Sequence, residues 1–279
     1  MYKLIAIDLD GTLLDDEKNI SREDSDLIEQ LTRNGYEVVI ATGRGYWSAK
    51  QLTKDISKSF VILANNGNVV RETGNGKTFI TKYLDMDDFR LLIGEANKGG
   101  FHSIVHMDNY SRGYDIIVEK EIDAGDIYYH NYLSRFQERY KKIDDHMELK
   151  DSRILAVVYV GTKKDMEYFH GLINQRYPGR YNSHIVENIQ SAEALLEVMN
   201  PLGCKWISLL EYAEGKGIDR SEIIAIGDDN NDIQMIENAG CGIAMKNAGA
   251  RVKQVADIIT ERDNNQSGVA FELKKLLNI

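Results

Sequence analysis

The chain has 279 residues, of which 43% are hydrophobic and 28% are charged, and its formal net charge at pH 7 is -10. This length and composition exclude fibrous and disordered chains, and they indicate either two compact units or one domain with a large insert. The acidic balance disfavours binding to nucleic acid, whose backbone carries charge of the same sign.

Only two cysteines are present, Cys204 and Cys241. A chain of this length needs no disulfide to fold, so they indicate a reducing compartment. The N-terminus leads directly into a short apolar run, without the pattern of a secretory leader, and no apolar stretch is long enough to span a membrane. We therefore expect a cytoplasmic protein with no membrane partner.

The first part of the chain alternates short apolar runs with helical patterns. The runs at residues 3–7, 36–41 and 60–64 predict buried strands. The first intervening helix is expected to begin near its N-cap, Ser21. This alternation indicates a parallel sheet, and a hairpin is predicted next, with strands at 68–71 and 78–81.

Residues 83–190 have a different composition, because all six histidines and eleven of the fifteen tyrosines lie between Lys82 and Gln190. Helices are predicted at 85–97 and 163–176, and strands at 101–107 and 154–160. If 101–107 is a strand, His102 and His106 share one of its faces. The segment Tyr128–Tyr132 is rich in groups that stack on or bond to sugars, although ordinary surface and interface packing is the better explanation for each group separately.

The first alternation resumes after residue 190, with strands predicted at 223–226 and 242–245 and helices at 206–212, 232–238 and 269–277. Residues 1–82 and 191–279 are therefore expected to form one core domain, and residues 83–190 an inserted one. The predicted fold class is α/β, with a Rossmann-like parallel-sheet core and an inserted α+β cap domain.

Two acidic clusters follow predicted core strands. Asp8 and Asp10 follow the first strand, and residues 228–232 follow the strand at 223–226. Because the carboxyl ends of parallel strands meet at one edge, these acids should converge there, and a hard dication such as Mg²⁺ would relieve their repulsion. A solvated acidic turn and a capped helix start are the simpler alternatives for the two clusters.

Two further segments could bind phosphate. Thr42 and Gly43 close the second strand and could offer a hydroxyl and backbone N–H groups to an anion. Lys205 lies early in a predicted helix, where its charge would suit a phosphate oxygen. Each signal is weak alone, since most lysines are simply solvated.

Together these segments resemble, in order and spacing, the four motifs of the haloacid dehalogenase superfamily. Asp8–Leu14 resembles the first motif, Ala41–Arg44 the second, Lys205 the third and Gly227–Asp232 the fourth. The chain looks most like the Cof-type branch of sugar-phosphate phosphatases. The resemblance covers nearly all of the core, whereas the inserted region matches only in position and size.

The resemblance implies a role for each aspartate. Asp8 would attack phosphorus and form an aspartyl-phosphate, while Asp10 would act first as general acid and then as base. The implied metal set is Asp8, Asp10 through its backbone carbonyl, Asp228 and Asp232, holding Mg²⁺. Asp232 would orient either Lys205 or a metal-bound water.

The resemblance also implies that Thr42, Gly43, Lys205 and Asn231 bind the phosphoryl group. The insert would be a type IIB cap that closes over the sheet edge and contacts a small phosphorylated metabolite. We expect a monomer or a weak homodimer. Two other functions remain open: a phosphotransferase or phosphomutase that uses the same Asp8, and a non-catalytic module that binds metal or phosphate.

Overall fold

The computed structural model describes residues 1–119, 125–136 and 139–279. The strands are β1 (Leu4–Asp8), β2 (Glu37–Ala41), β3 (Val61–Ala64), β4 (Val69–Glu72), β5 (Thr78–Thr81), β6 (Ile104–Met107), β7 (Ile116–Glu119), β8 (Tyr140–Ile143), β9 (Ile154–Gly161), β10 (Asn182–Ile189), β11 (Ala192–Met199), β12 (Ile223–Gly227), β13 (Cys241–Ala244) and β14 (Ile258–Ile259). The α-helices are α1 (Arg22–Arg33), α2 (Tyr46–Leu52), α3 (Met86–Gly99), α4 (Ile127–Leu133), α5 (Lys163–Arg176), α6 (Lys205–Gly215), α7 (Ile233–Asn238), α8 (Ala250–Val255) and α9 (Gly268–Leu277).

The chain divides into two compact units. The first contains Met1–Thr81 and Cys204–Ile279, and the second contains Lys82–Gly203. The first unit has an eight-stranded sheet in the order β14-β13-β12-β1-β2-β3-β4-β5. It is parallel from β14 to β3, and β4 and β5 are antiparallel. These findings confirm the predicted α/β class with its parallel-sheet core.

The central strands of the first unit are apolar because both faces of the sheet are covered. Every residue of β1 and of β12 is buried, as expected for parallel strands that lie between helical layers. Ser21 caps α1 by accepting a hydrogen bond from the Asp24 N–H, so the helix begins where the sequence predicted. The structure also contains the predicted β4–β5 hairpin.

The second unit has a six-stranded sheet in the order β10-β11-β9-β6-β7-β8. One hydrophobic cluster includes side chains of α3 and α5, and another includes side chains of α4. Except for β7 and β8, which are parallel, neighbouring strands are antiparallel. This mixture of helices and mostly antiparallel strands is the α+β arrangement expected for the insert.

The second unit extends further along the chain than the sequence predicts. We expected the core to resume at residue 191, but the unit ends at Gly203. The reason is the long hairpin of β10 and β11, in which β11 also pairs with β9. This pairing keeps residues 192–199 in the second sheet.

The predicted strand at 101–107 is also too long, because β6 begins at Ile104. His102 therefore precedes the strand, and the expectation that it shares a strand face with His106 is wrong. Ladder pairing with β9 starts at Ile104, opposite Val158. In the described residues no helix has the length and apolar character needed to cross a membrane.

Candidate active site

The candidate site lies at the carboxyl edge of the parallel sheet in the first unit. Strands β12, β1, β2 and β3 are neighbours, with Asp8 of β1 opposite Ala41 of β2 and Ile7 opposite Ile226 of β12. This register brings the residues that follow Ala41 and Ile226 to the level of Asp8. In open α/β sheets this edge is where ligands bind.

Three carboxylates meet at this edge. Asp8, Asp228 and Asp232 each offer an oxygen, and these oxygens all lie within 4.8 Å of one another. Asp8 and Asp232 are buried and Asp228 is partly buried, so water screens their repulsion poorly. A set of converging carboxylate oxygens fits a hard dication such as Mg²⁺, which prefers oxygen ligands.

Lys205 supplies a positive charge within this cluster. Its Nζ donates to Asp8 Oδ1 at 2.6 Å and to Asp232 Oδ1 at 2.7 Å, and the side chain is 1% exposed. Burial alone would lower the pKa of Lys205, but the charges of Asp232 and Asp8 raise it above its ordinary value. The lysine is therefore held as a cation, and it fixes the position of Asp8.

One lysine does not neutralise three carboxylates. Burial, together with the charge of Asp232, raises the pKa of Asp8 well above its ordinary value despite Lys205. Burial and the charge of Asp232 likewise raise the pKa of Asp228 to about 7, although Thr12 donates a hydrogen bond to it at 3.0 Å. The cluster thus has the excess negative charge that a bound dication would offset.

Asp10 has different partners from Asp8. Its carboxylate accepts hydrogen bonds from Arg44 Nε at 2.6 Å, Arg44 Nη2 at 2.7 Å and Lys18 Nζ at 2.9 Å. Burial by itself would raise the pKa of Asp10, but these bonds outweigh it and lower the pKa to about 2. The carboxylate of Asp10 is thus outside the three-acid cluster, which leaves its backbone carbonyl as the atom that the resemblance assigned to the metal.

The predicted phosphate-binding residues are distributed over three segments at this edge. The hydroxyl of Thr42 accepts a hydrogen bond from the Arg44 N–H at 3.0 Å, and Gly43 lies between Thr42 and Arg44. Asn231 Nδ2 donates to Asn66 Oδ1 at 3.0 Å. Lys205 stands at the first turn of α6, so its buried ammonium group lies close to the helix N-terminus.

Besides Arg44, three residues with direct contacts in the site had no predicted role. Thr12 lies inside the first motif and binds Asp228. Lys18, which has a left-handed backbone with φ 66°, binds Asp10. Asn66 belongs to the Asn65–Gly67 turn, whose Asn-Asn-Gly sequence is a signal for a left-handed loop. Lys18 carries no comparable signal, because a lysine in a polar loop is ordinarily solvated.

Comparison with known proteins agrees with this geometry. The haloacid dehalogenase-like hydrolase family model matches residues 5–273. The chain is 30% identical to the Bacillus subtilis 5-amino-6-(5-phospho-D-ribitylamino)uracil phosphatase YcsE, covering 98% of this chain and 94% of that protein. It is 28% identical to the B. subtilis phosphatase YwpJ, covering 99% and 100% of the two chains.

A solved structure shows the same fold over the full length. The crystal structure of a haloacid dehalogenase-like hydrolase from Bacteroides thetaiotaomicron superposes with a TM-score of 0.82 at 25% identity. The match covers 99% of this chain and 100% of that one. Both units of the chain are therefore included in the similarity.

Proposed function

We propose that this chain, a Cof-type member of the haloacid dehalogenase-like hydrolase family and a phosphatase, hydrolyses small phosphorylated metabolites. The proposed reaction proceeds through a phosphorylated Asp8 and depends on magnesium. The observation that carries the proposal is the fixed position of Asp8 at the sheet edge. It is held by Lys205 and lies beside Asp228 and Asp232.

In the first step a carboxylate oxygen of Asp8 attacks phosphorus, and the bond from phosphorus to the leaving oxygen breaks. Asp10 gives its proton to that oxygen, so an alcohol departs. In the second step water attacks the phosphorus of the aspartyl-phosphate, Asp10 takes up a proton from that water, and the bond from phosphorus to the Asp8 oxygen breaks. Inorganic phosphate leaves, and Asp8 returns to its starting state.

Mg²⁺, held by Asp8, Asp228 and the backbone carbonyl of Asp10, would supply the charge that lets an anionic nucleophile approach an anionic phosphate. Asp232 keeps Lys205 in place through its bond at 2.7 Å. Thr42 and the N–H of Gly43 would bind phosphoryl oxygens, and Asn231 would add a further hydrogen bond.

Asp10 needs two protonation states in this cycle. Its contacts with Arg44 and Lys18 stabilise the anion, which is the form that activates water in the second step. Proton donation in the first step requires these contacts to loosen, because a carboxylate with a pKa of about 2 carries almost no proton at neutral pH.

We propose sugar phosphates or chemically similar metabolites as the substrate class. The relative YcsE is named for a substrate that carries a phosphorylated ribityl group, and the net charge of -10 disfavours a nucleic acid substrate. A panel of phosphorylated metabolites, assayed for released phosphate with Mg²⁺ and with EDTA, would identify the preferred member. Added acceptor alcohols would reveal phosphotransfer.

The decisive variant is Asp8→Asn, which keeps the size of the side chain and removes the nucleophilic oxygen. We expect turnover to fall by at least about 10⁴-fold, because the variant lacks the carboxylate oxygen that accepts the phosphoryl group. Asp26→Asn on the exposed face of α1 is the matched control and should retain wild-type turnover. Substantial turnover by a folded Asp8→Asn protein would remove Asp8 from this role.

A further inference from the structure

The loop after β3 has an unusual backbone at the edge of the candidate site. Asn65, Asn66 and Gly67 are consecutive residues with φ values of 49°, 52° and 95°. A left-handed backbone is unfavourable for residues other than glycine, although asparagine tolerates it best. Three such residues in sequence persist only where surrounding contacts hold them.

The loop backbone holds the segment that contains Thr42 and Gly43. The Asn65 N–H donates to the Arg44 carbonyl at 2.9 Å, and the Asn66 N–H donates to the Thr42 carbonyl at 3.0 Å. These two bonds fix the Thr42–Gly43 and Arg44–Gly45 peptide groups. The turn after β2 therefore takes its shape from the loop after β3.

The side chain of Asn66 connects this turn to the acidic loop after β12. Asn66 is 5% exposed, and its Oδ1 accepts the hydrogen bond from Asn231 Nδ2 at 3.0 Å. A Cβ atom at Gly43 would lie 3.4 Å from Asn66 Oδ1 and 3.5 Å from its Nδ2. The Asn66 amide is thus packed against Gly43 while it holds Asn231.

Gly67 connects the same loop to the helix that bears Lys205. The Gly67 carbonyl accepts a hydrogen bond from Ser208 Oγ of α6 at 2.7 Å. A Cβ atom at Gly67 would lie 2.6 Å from the Cys204 carbonyl oxygen, so glycine permits the close approach. The loop thus contacts all three segments that supply the proposed phosphate-binding groups.

We propose that Asn66 is a positioning residue for the phosphate site, acting through Asn231, an inference that rests on the proposed function. An asparagine amide at an exposed loop position, as Asn231 is, otherwise samples several rotamers. The bond to Asn66 removes that freedom before the substrate arrives and leaves the second Nδ2–H of Asn231 available to donate to a phosphoryl oxygen.

A double-mutant cycle tests this coupling. Asn66→Gly removes the amide but suits the left-handed backbone, and Asn231→Ala removes the partner. We expect each single variant to lower kcat/KM about 10-fold, mainly through a higher KM and weaker inhibition by inorganic phosphate. Because Asn66 acts through Asn231, the double variant should lose little more than Asn231→Ala alone.

The control is Asn278→Gly, which makes the same change at another left-handed asparagine, with φ 54°, after α9. It should leave KM and phosphate inhibition unchanged. The proposal is overturned if the losses from the two single variants multiply to about 100-fold in the double variant. It is also overturned if Asn66→Gly lowers Tm without changing KM.

The two proposals fail in distinguishable ways. If the wild-type protein hydrolyses no member of the metabolite panel, the proposed function is wrong. The inference about Asn66 is then judged by calorimetric binding of inorganic phosphate with Mg²⁺. A Kd about 10-fold weaker in Asn66→Gly supports it, whereas an unchanged Kd contradicts it.

Discussion

Asp8 and Asp10 are two residues apart, yet their surroundings move their pKa values in opposite directions. Burial beside Asp232 raises the pKa of Asp8. Asp10 is also desolvated, but the bonds from Arg44 and Lys18 lower its pKa to about 2. Two chemically identical side chains thus acquire different properties through their partners.

Replacing Arg44 should raise the pKa of Asp10. In Arg44→Met the two guanidinium bonds are lost and the desolvation remains, so we expect the Asp10 pKa to rise by more than about one unit. The measurement is a ¹³C NMR titration of metal-free protein, with the Asp10 signal assigned from the Asp10→Asn spectrum.

The control for this titration is Arg22→Met. Arg22 is exposed, and its Nε lies 3.7 Å from Oδ2 of Asp26 rather than beside Asp10. Its replacement should therefore leave the Asp10 titration unchanged. An unaltered Asp10 curve in Arg44→Met would show that the ion pair does not control its protonation.

Among the secondary-structure elements, the close approach of α7 to β13 determines the position of the acidic loop after β12. A Cβ atom at Gly242 of β13 would overlap the carbonyl oxygen of Ile236 in α7. Asp232 immediately precedes α7, so the depth at which this helix packs determines where the carboxylate lies. The absence of a side chain at Gly242 therefore contributes to the geometry of the site.

Gly242→Ala should destabilise the protein by about 1–3 kcal/mol, because α7 must move away from the sheet. Gly171 in α5 is the matched position, since no atom lies within 4 Å of a Cβ placed there, and Gly171→Ala should maintain or raise stability. Scanning calorimetry of both variants provides the comparison. An unchanged Tm in Gly242→Ala would contradict the predicted overlap.

At the scale of the whole molecule, the acidic cluster links stability to pH and to metal. In metal-free protein the folded-state pKa of Asp228 is about 7, whereas an unfolded aspartate has a pKa of about 3.9. Between these values the folded chain retains a proton that the unfolded chain has lost. The stabilisation that Asp228 contributes is therefore fully present below its unfolded-state pKa and is lost as pH rises through its folded-state pKa.

Bound Mg²⁺ should reverse this loss. We expect Mg²⁺ to raise Tm, with a larger increase at pH 8 than at pH 6, because protons compete with the metal below the pKa of Asp228. At a Mg²⁺ concentration 100 times Kd, the free energy of unfolding would rise by about 2.7 kcal/mol. The measurement is Tm against Mg²⁺ concentration at the two pH values.

Asp228→Asn should remove most of this Mg²⁺ effect. Asp229→Asn is the matched control in the same loop, since Asp229 caps the following turn through the Asn230 N–H and asparagine caps equally well. An equal Mg²⁺ response in both variants would place the metal elsewhere.

The parallel core, the order of the motifs and the acids at the strand ends could all be predicted from the sequence. These features are local, because hydrophobic periodicity and turn residues record them over short windows. The start of α1 at its Ser21 cap, the β4–β5 hairpin and α5 were predicted for this reason. The β10–β11 hairpin was missed because its mixed polar and apolar residues gave no clear period.

The individual bonds between the polar groups of the site follow from the tertiary structure. The bonds of Lys205 to Asp8 and Asp232, the pairing of Arg44 and Lys18 with Asp10, and the bond between Asn66 and Asn231 each join residues whose spacing along the chain follows no local pattern. The strand order brings them together, and burial then sets their pKa values. Such contacts depend on long-range packing, which local residue patterns do not encode.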